Sequence, residues 1–139
     1  MIDETIKNKL SSYFATQPVE AVYLFGSQAL GKARKDSDID LAVLFNKTVS
    51  EEKRGRYIIE MTADLEGIIS GKKLDIINLS KAPIALQYSA VYRRHEILVK
   101  NSTNKALFEA QVFSRYFDYS YYINQNTSIG LSSIARMKI

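Results

Sequence analysis

The spacing of apolar positions predicts that helices and strands alternate along the chain. Apolar residues recur every four positions from Ile2 to Phe14, as on one face of an amphipathic helix, and Pro18 ends that helix. β-Branched and aromatic runs then predict two strands, over 19–25 and 39–45. A loop rich in Lys and Arg separates these strands.

The same alternation continues through the rest of the chain. Periods near 3.6 residues indicate helices, and short β-branched runs indicate strands. The further predicted elements are a helix over 50–71, a strand over 73–79, a helix over 83–94, a short strand over 96–100 and a helix over 103–125.

The last predicted helix carries two apolar stripes. One stripe contains Leu107, Ala110, Ser114, Phe117 and Tyr121, and the other contains Phe108, Val112, Tyr116 and Tyr119. Two stripes predict two surfaces to cover, so the second stripe either docks a partner or completes the chain's own core. Residues 126–139 lack a clear period. We therefore predict a single domain over 1–125 and a loose C-terminal tail over 126–139 that is available to a partner.

Composition narrows the possible chemistry. The 139 residues include no cysteine and one histidine, which excludes disulfides, thiolate metal sites and a histidine-rich metal cage, so oxygen atoms must hold any metal. The net charge of +4 suits a ligand that carries phosphate. Basic residues near the end lack interleaved aromatics, so direct nucleic-acid binding is not expected. The sequence shows neither a signal peptide nor a membrane span, from which we expect a cytoplasmic protein without membrane contact.

The most specific motif is Gly26-Ser27, ten intervening residues, and then Asp38-Ile39-Asp40. Residues two apart on a strand point the same way and lie about 6.6 Å apart, so both carboxylates can reach one or two divalent cations. Two such cations about 3.5 to 4 Å apart clamp the attacking and leaving oxygens in phosphoryl transfer. Mg²⁺ prefers oxygen ligands of this kind. Gly26 leaves backbone amides approachable and Ser27 adds a hydroxyl, which together suit the phosphates of a nucleotide.

The alternative to a site for cations and nucleotide is that the two aspartates lie on a solvated strand face and that Gly26-Ser27 forms an ordinary turn. Two acids side by side would repel each other on such a face without a cation, which favours the metal interpretation. A third acid, Asp75, interrupts an otherwise apolar strand, where a carboxylate is costly unless a metal or hydrogen bonds stabilise it. If that strand pairs beside the second one, Asp75 can ligate a metal or accept a proton from an attacking hydroxyl.

Gly26-Ser27 and Ser37-Asp38-Ile39-Asp40-Leu41, with Asp75 further on, resemble the minimal nucleotidyltransferases of the DNA polymerase β superfamily. The resemblance is to the MNT antitoxins of HEPN/MNT toxin-antitoxin pairs. It implies an α/β (α+β) nucleotidyltransferase fold, a small mixed β-sheet flanked by α-helices.

The same resemblance implies roles for individual residues. Asp38 and Asp40 would bind Mg²⁺, two ions in all, and Asp75 would complete the catalytic and metal-binding triad. The nucleotide-binding residues would be Gly26, Ser27, Arg34 and Ser37. Arg34 is the phosphate candidate of the loop because Gly31-Lys32 stands where the family often has arginine after the glycine.

The resemblance also implies a function. The enzyme would move AMP from ATP onto a tyrosine of a cognate HEPN ribonuclease toxin and so neutralise it. Two alternatives stay open: an antitoxin that masks the toxin without catalysis, and a transferase acting on an antibiotic or other small alcohol. A domain this short offers no second wall for a small acceptor, which favours a protein acceptor that closes the site itself.

Overall fold

A computed structural model describes residues 2–26, 38–93 and 95–129 of the chain. Helices and strands alternate as the apolar pattern predicts. The elements are α1 (Glu4–Phe14), β1 (Val19–Phe25), β2 (Ile39–Phe45), α2 (Glu51–Ile68), β3 (Leu74–Asn78), a 3₁₀ turn (Leu79–Lys81), α3 (Ile84–Arg93), β4 (Glu96–Val99) and α4 (Ser102–Ile129). Within these ranges, no helix combines the length and the apolar character that crossing a bilayer requires.

The four strands form one mixed sheet in the order β3-β2-β1-β4. β1 pairs antiparallel with both β2 and β4, whereas β2 and β3 are parallel. A parallel pair needs a long crossover connection, and α2 provides it. This is the small mixed sheet flanked by helices that the resemblance implies, so the predicted fold class is confirmed.

Alternation along the strands divides the core between the two faces of the sheet. On one face, side chains from all four strands pack with buried residues of α1 and α2, among them Leu10, Phe14, Met61 and Leu65. On the other face, Ala21, Tyr23, Ala42 and Leu44 pack with Ala90 and Val91 of α3 and Val112 of α4. In the part of the chain that the structure describes, each face is therefore covered by one pair of helices.

Polar side chains define where the first two helices begin. The Asp3 carboxylate accepts a hydrogen bond from the backbone N–H of Ile6 at 2.8 Å, and the Ser50 hydroxyl accepts one from Lys53 N–H at 3.3 Å. These caps satisfy backbone donors that have no partner within the helix. The start of α2 predicted at Ser50 is confirmed.

A buried polar network attaches α4 to the sheet. The Tyr23 hydroxyl donates to Glu109 Oε2 at 2.8 Å, and Lys105 Nζ lies 2.9 Å from the same oxygen. Lys105 also pairs with Glu96 of β4. Burial alone would lower the pKa of Lys105, but hydrogen bonds and charge from the two carboxylates outweigh it and raise that pKa.

We expect the substitution Lys105→Met to destabilise the fold by about 2 kcal/mol, because it leaves the buried Glu109 carboxylate without its cation. We expect no larger loss because Glu109 keeps the hydrogen bond from the Tyr23 hydroxyl and Glu96 is only partly buried. Urea unfolding measures the change. Lys53→Met, on the exposed side of α2, is the control and should leave the free energy of unfolding within about 0.5 kcal/mol. Equal stability of the two variants would contradict the prediction.

The structure decides which stripe of α4 faces the core. Val112 is fully buried, Phe108 packs beside it, and the Tyr116 ring stacks on Tyr88 with centroids 3.8 Å apart. For these residues, the alternative that the second stripe completes the chain's own core is confirmed. The first stripe lies outward, where Leu107, Phe117 and Tyr121 are exposed.

The last helix is longer than predicted. α4 continues to Ile129, four residues beyond Gln125, so the first part of the predicted tail is helical. Apolar periodicity did not indicate this because residues 126–129 carry no clear apolar period. Residues 130–139 lie outside the described residues.

Candidate active site

Three strand ends meet at one edge of the sheet and bring the acidic residues together. In the parallel pairing of β2 and β3, Asp40 lies directly opposite Asp75. In the antiparallel pairing of β1 and β2, Asp40 also lies opposite Phe25, the last residue of β1. The end of β1 and the beginnings of β2 and β3 thus form one edge, which we call the aspartate edge.

Strand alternation directs these acids to the face covered by α3 and α4. Ile39 and Leu41, on either side of Asp40, belong to the core beneath α1 and α2. Leu74 and Ile76 flank Asp75 in the same way. Because neighbouring residues of a strand point to opposite faces, both carboxylates point to the other side of the sheet. Asp75 is exposed and Asp40 is half-buried, so the pair borders solvent.

Asp38 precedes β2 and is exposed. Its charge reaches Asp40: the pKa of Asp40 is raised first by burial and then by the negative charges of Asp75 and Asp38. The other two acids that the sequence singles out therefore both act on Asp40 at the aspartate edge. An ionised trio of this kind is unfavourable without a compensating positive charge.

The donor set suits a hard divalent cation. All candidate ligands are carboxylate oxygens, which Mg²⁺ prefers, and Asp40 and Asp75 are neighbours in the sheet. Within the described ranges, no group of three or more His, Cys, Asp or Glu side chains is already arranged to hold a metal ion. Carboxylates repel one another in the absence of a cation, and changes of rotamer would bring their oxygens closer. The residues thus fit Mg²⁺ without forming a closed cage.

Gly26 lies against Asp40 at the end of β1. Its φ is +75°, in the left-handed region that side chains disfavour. A Cβ atom at this position would overlap Asp40 Oδ2 and lie only 3.1 Å from Cγ. Glycine therefore lets the chain turn away from β1 while its backbone stays beside the carboxylate. The sequence predicted a glycine here for the approach of phosphate. It did not predict the contact with Asp40, which follows from the strand pairing that places the end of β1 beside that residue.

The remaining predicted site residues lie outside the described residues. Ser27, Arg34 and Ser37 belong to the segment 27–37, so their predicted contacts with nucleotide stay predictions. The structure brings together Gly26, Asp38, Asp40 and Asp75 at the aspartate edge.

The mixed sheet thus carries paired aspartates at the beginnings of two neighbouring strands. Residues 5–103 match the family model described as Polymerase beta, Nucleotidyltransferase. Since the match spans well over half of the chain, the chain belongs to the polymerase beta nucleotidyltransferase family. No curated protein matches the sequence.

Solved structures share the fold. A chain in the crystal structure of a toxin-antitoxin with AMP-PNP has a TM-score of 0.63 and 22% identity, with 88% of this chain and 94% of that chain covered. A chain of the toxin-antitoxin MntA-HepT has a TM-score of 0.59 and 20% identity, covering 91% and 95%. A third structure contains a tri-AMPylated Shewanella oneidensis HEPN toxin in complex with MNT antitoxin, at TM-score 0.59 and 20% identity, covering 92% and 95%.

Proposed function

We propose that this chain is an antitoxin that transfers AMP from ATP to a tyrosine of a cognate HEPN ribonuclease toxin in a Mg²⁺-dependent reaction. The observation that carries the proposal is the register that sets Asp40 opposite Asp75, with Asp38 two residues before it and Gly26 alongside. Membership of the nucleotidyltransferase family supports the reaction class. The similarity in fold to structures that contain AMP-PNP or an AMPylated HEPN toxin supports the choice of nucleotide and acceptor.

In this proposal the carboxylates of Asp38, Asp40 and Asp75 hold two Mg²⁺ ions. Bound Mg²⁺ supplies positive charge beside the α-phosphate and the leaving pyrophosphate. The Gly26 backbone and the Ser27 hydroxyl orient the phosphate chain, and Arg34 and Ser37 add contacts to it. Preorganised charge of this kind stabilises the transition state because the protein need not rearrange as the reaction proceeds.

The transfer breaks a phosphoanhydride bond of ATP and forms a phosphate ester. The phenol oxygen of the toxin tyrosine forms a bond to the α-phosphorus, and the bond from that phosphorus to the bridging oxygen of the β-phosphate breaks. Pyrophosphate leaves, and an oxygen of Asp75 accepts the phenol proton. Asp75 suits this role because its side chain borders solvent at the aspartate edge, where an acceptor can approach.

Intact-mass spectrometry tests the proposal directly. The purified chain is incubated with ATP, Mg²⁺ and the toxin encoded in the adjacent reading frame. We expect the toxin to gain the mass of one or more AMP groups, and we expect EDTA to abolish the gain. Replacement of the acceptor tyrosine of the toxin by phenylalanine should abolish it as well. A toxin that stays unmodified under every condition would refute the proposed reaction.

The second candidate function is an antitoxin that masks the toxin without catalysis. One observation favours it: a chain of similar fold is part of the solved structure of the toxin-antitoxin MntA-HepT. The double substitution Asp38→Asn and Asp40→Asn separates the two functions in cells that express the toxin. A masking antitoxin would still protect those cells, whereas a transferase would not. A transferase for small alcohols would instead modify its acceptor with no partner protein present.

A further inference from the structure

A cavity of about 510 Å³ lies where α4 passes the 3₁₀ turn that follows β3. We call it the α4 cavity, and its described lining is one residue of that turn and four residues of α4: Ser80, Phe108, Gln111, Ser114 and Arg115. Ser80 lies beyond the last residue of β3, whereas Asp75 is near the first. The α4 cavity and the aspartate edge are therefore at opposite ends of that strand.

A buried glutamine of α3 holds Arg115 in one orientation. Arg115 Nη2 donates to Gln87 Oε1 at 3.1 Å, and its Nε donates to the Gln111 carbonyl one turn earlier at 3.4 Å. Gln87 has only 1% of its surface exposed, and its Nε2 donates to the Leu79 carbonyl at 2.9 Å. Because a carbonyl only accepts hydrogen bonds, this contact fixes which end of the glutamine amide faces Arg115. The guanidinium is thus positioned before any ligand arrives.

The positive charge of Arg115 is not compensated within the described part of the chain. Two of its five N–H groups have acceptors, both uncharged, which leaves three for a ligand. Among the described residues it forms no ion pair with a carboxylate, and this includes Asp118, three residues further along α4. The side chains of Gln111 and Ser114 also make no hydrogen bond with described residues. A guanidinium with free N–H groups beside an amide and a hydroxyl suits the oxygens of an anion.

Positive charge is also present behind the wall of the cavity. Arg54 Nη1 donates to the Ser80 hydroxyl at 3.0 Å, which brings a second guanidinium up to that wall. Arg54 and Lys81 both lie near a single carboxylate, that of Glu51, at 3.7 and 3.6 Å. One carboxylate does not neutralise two cations, so this wall keeps a positive charge. A concave surface with an excess of one sign of charge attracts ions of the other sign.

The size of the cavity and its apolar wall indicate what accompanies the anion. Sites for small organic ligands have volumes of about 300–1,000 Å³, and the α4 cavity lies within that range. Phe108, which also packs against the core, supplies an apolar part of the lining. The donors of Arg115, Gln111 and Ser114 are used more fully by the three terminal oxygens of a phosphate monoester than by the two of a carboxylate.

We propose that the α4 cavity binds the phosphate group of a small organic phosphate monoester. Arg115 is the anchoring cation, and Gln111 and Ser114 are the neutral donors. Because a guanidinium supplies the positive charge, this binding requires no divalent cation, in contrast to the carboxylates of the aspartate edge. The site goes beyond the proposed transfer of AMP, and neither depends on the other.

An NMR titration of the full chain with AMP in EDTA, at physiological ionic strength, tests the proposal. We expect the amide signals of residues 79–81 and 108–115 and the side-chain N–H signal of Arg115 to shift, while those of residues 38–40 and 74–76 stay unchanged. Inorganic phosphate should shift the same signals with lower affinity, and adenosine, which lacks the phosphate, should not shift them. Shifts confined to residues 38–40 and 74–76, or no shifts at all, would overturn the proposal. Acetate that bound as tightly as inorganic phosphate would refute the choice of phosphate over carboxylate.

The substitution Gln111→Glu occupies the site with an anion of the chain itself. It places a carboxylate four residues before Arg115, the favourable order for an ion pair on a helix, so the thermal midpoint should be unchanged or slightly higher. We expect the Kd for AMP in EDTA to rise at least about 10-fold, and Arg115→Gln should raise it by a similar factor. Arg56→Gln is the matched control, since it removes the same charge from an exposed position of α2, on the opposite face of the sheet. Its Kd should change less than about 3-fold.

An equal change of Kd in Arg115→Gln and Arg56→Gln would show that AMP responds to net charge alone and would overturn the site. An unchanged Kd in a folded Gln111→Glu variant would overturn it as well. The titration contains no ATP, no Mg²⁺ and no toxin. Its result is therefore independent of whether the chain transfers AMP, and failure of the transfer reaction would leave the α4 cavity as a binding site.

Discussion

Replacement of Asp40 by asparagine is expected to lower kcat/KM for AMP transfer at least about 10³-fold while the fold is kept. Asparagine has nearly the same shape but lacks the negative charge needed to hold a divalent cation. Asp40 is the central acid of the aspartate edge, since it lies opposite Asp75 and two residues from Asp38.

The measurement is the initial rate of AMP incorporation into the toxin over a range of Mg²⁺ concentrations. Glu66→Gln provides the control, because Glu66 is an exposed acid on α2, a helix that packs on the opposite face of the sheet. The control should keep full activity and an unchanged Mg²⁺ dependence. An Asp40→Asn variant that retains a tenth or more of the activity would contradict the metal-binding role.

The same substitution should stabilise the fold in the absence of Mg²⁺. Burial and the charges of Asp75 and Asp38 raise the pKa of Asp40 above its usual 3.8, so its ionised form opposes folding. The destabilisation by ionised Asp40 is absent below pH 3.8, appears as the pH rises from 3.8 through the raised pKa, and stays constant above it. Thermal unfolding in EDTA should therefore give Asp40→Asn a higher midpoint than the unmodified chain at neutral pH and nearly the same midpoint at pH 3. A midpoint below that of the unmodified chain at neutral pH would show that Asp40 stabilises the metal-free fold.

The apolar pattern predicted where the elements lie because the local signal and the tertiary packing agree. In β2, Leu41, Val43 and Phe45 share one face, and these residues do form the core beneath α1 and α2. The position of the acids followed from the same alternation. What the pattern could not supply was the register between β2 and β3, because partners in a parallel pair are separated by a whole helix and no short-range rule links them.

The sequence also did not predict where the elements end or which of the two apolar stripes of α4 faces the core. Lys73 and Leu79 were expected in β3, but that strand spans Leu74–Asn78 and a 3₁₀ turn follows it. In α4, both stripes have helical spacing, and only the position of the sheet decides that Val112 is buried while Leu107 is exposed. The boundaries of an element and the side that it turns toward the core depend on contacts between distant segments, which a window of local sequence does not contain.

Gly26→Ala is expected to lower kcat/KM about 10²- to 10³-fold, through geometry rather than charge. An added Cβ would overlap Asp40 Oδ2, so either the carboxylate or the end of β1 must move. Displacement of a reacting group by about 1 Å is enough for a 10²-fold loss. The positive φ adds about 1 kcal/mol of backbone strain for any residue with a side chain.

Gly71→Ala is the control that separates these two effects. Gly71 has a φ of +81°, so alanine there meets the same backbone strain, but a Cβ at that position would meet no atom within 4 Å. We expect both variants to lose about 1 kcal/mol of stability in urea unfolding, and only Gly26→Ala to lose activity. If Gly71→Ala lost activity equally, the loss would follow from a less stable fold. If neither lost activity, close contact between Gly26 and Asp40 would not be needed to place the carboxylate.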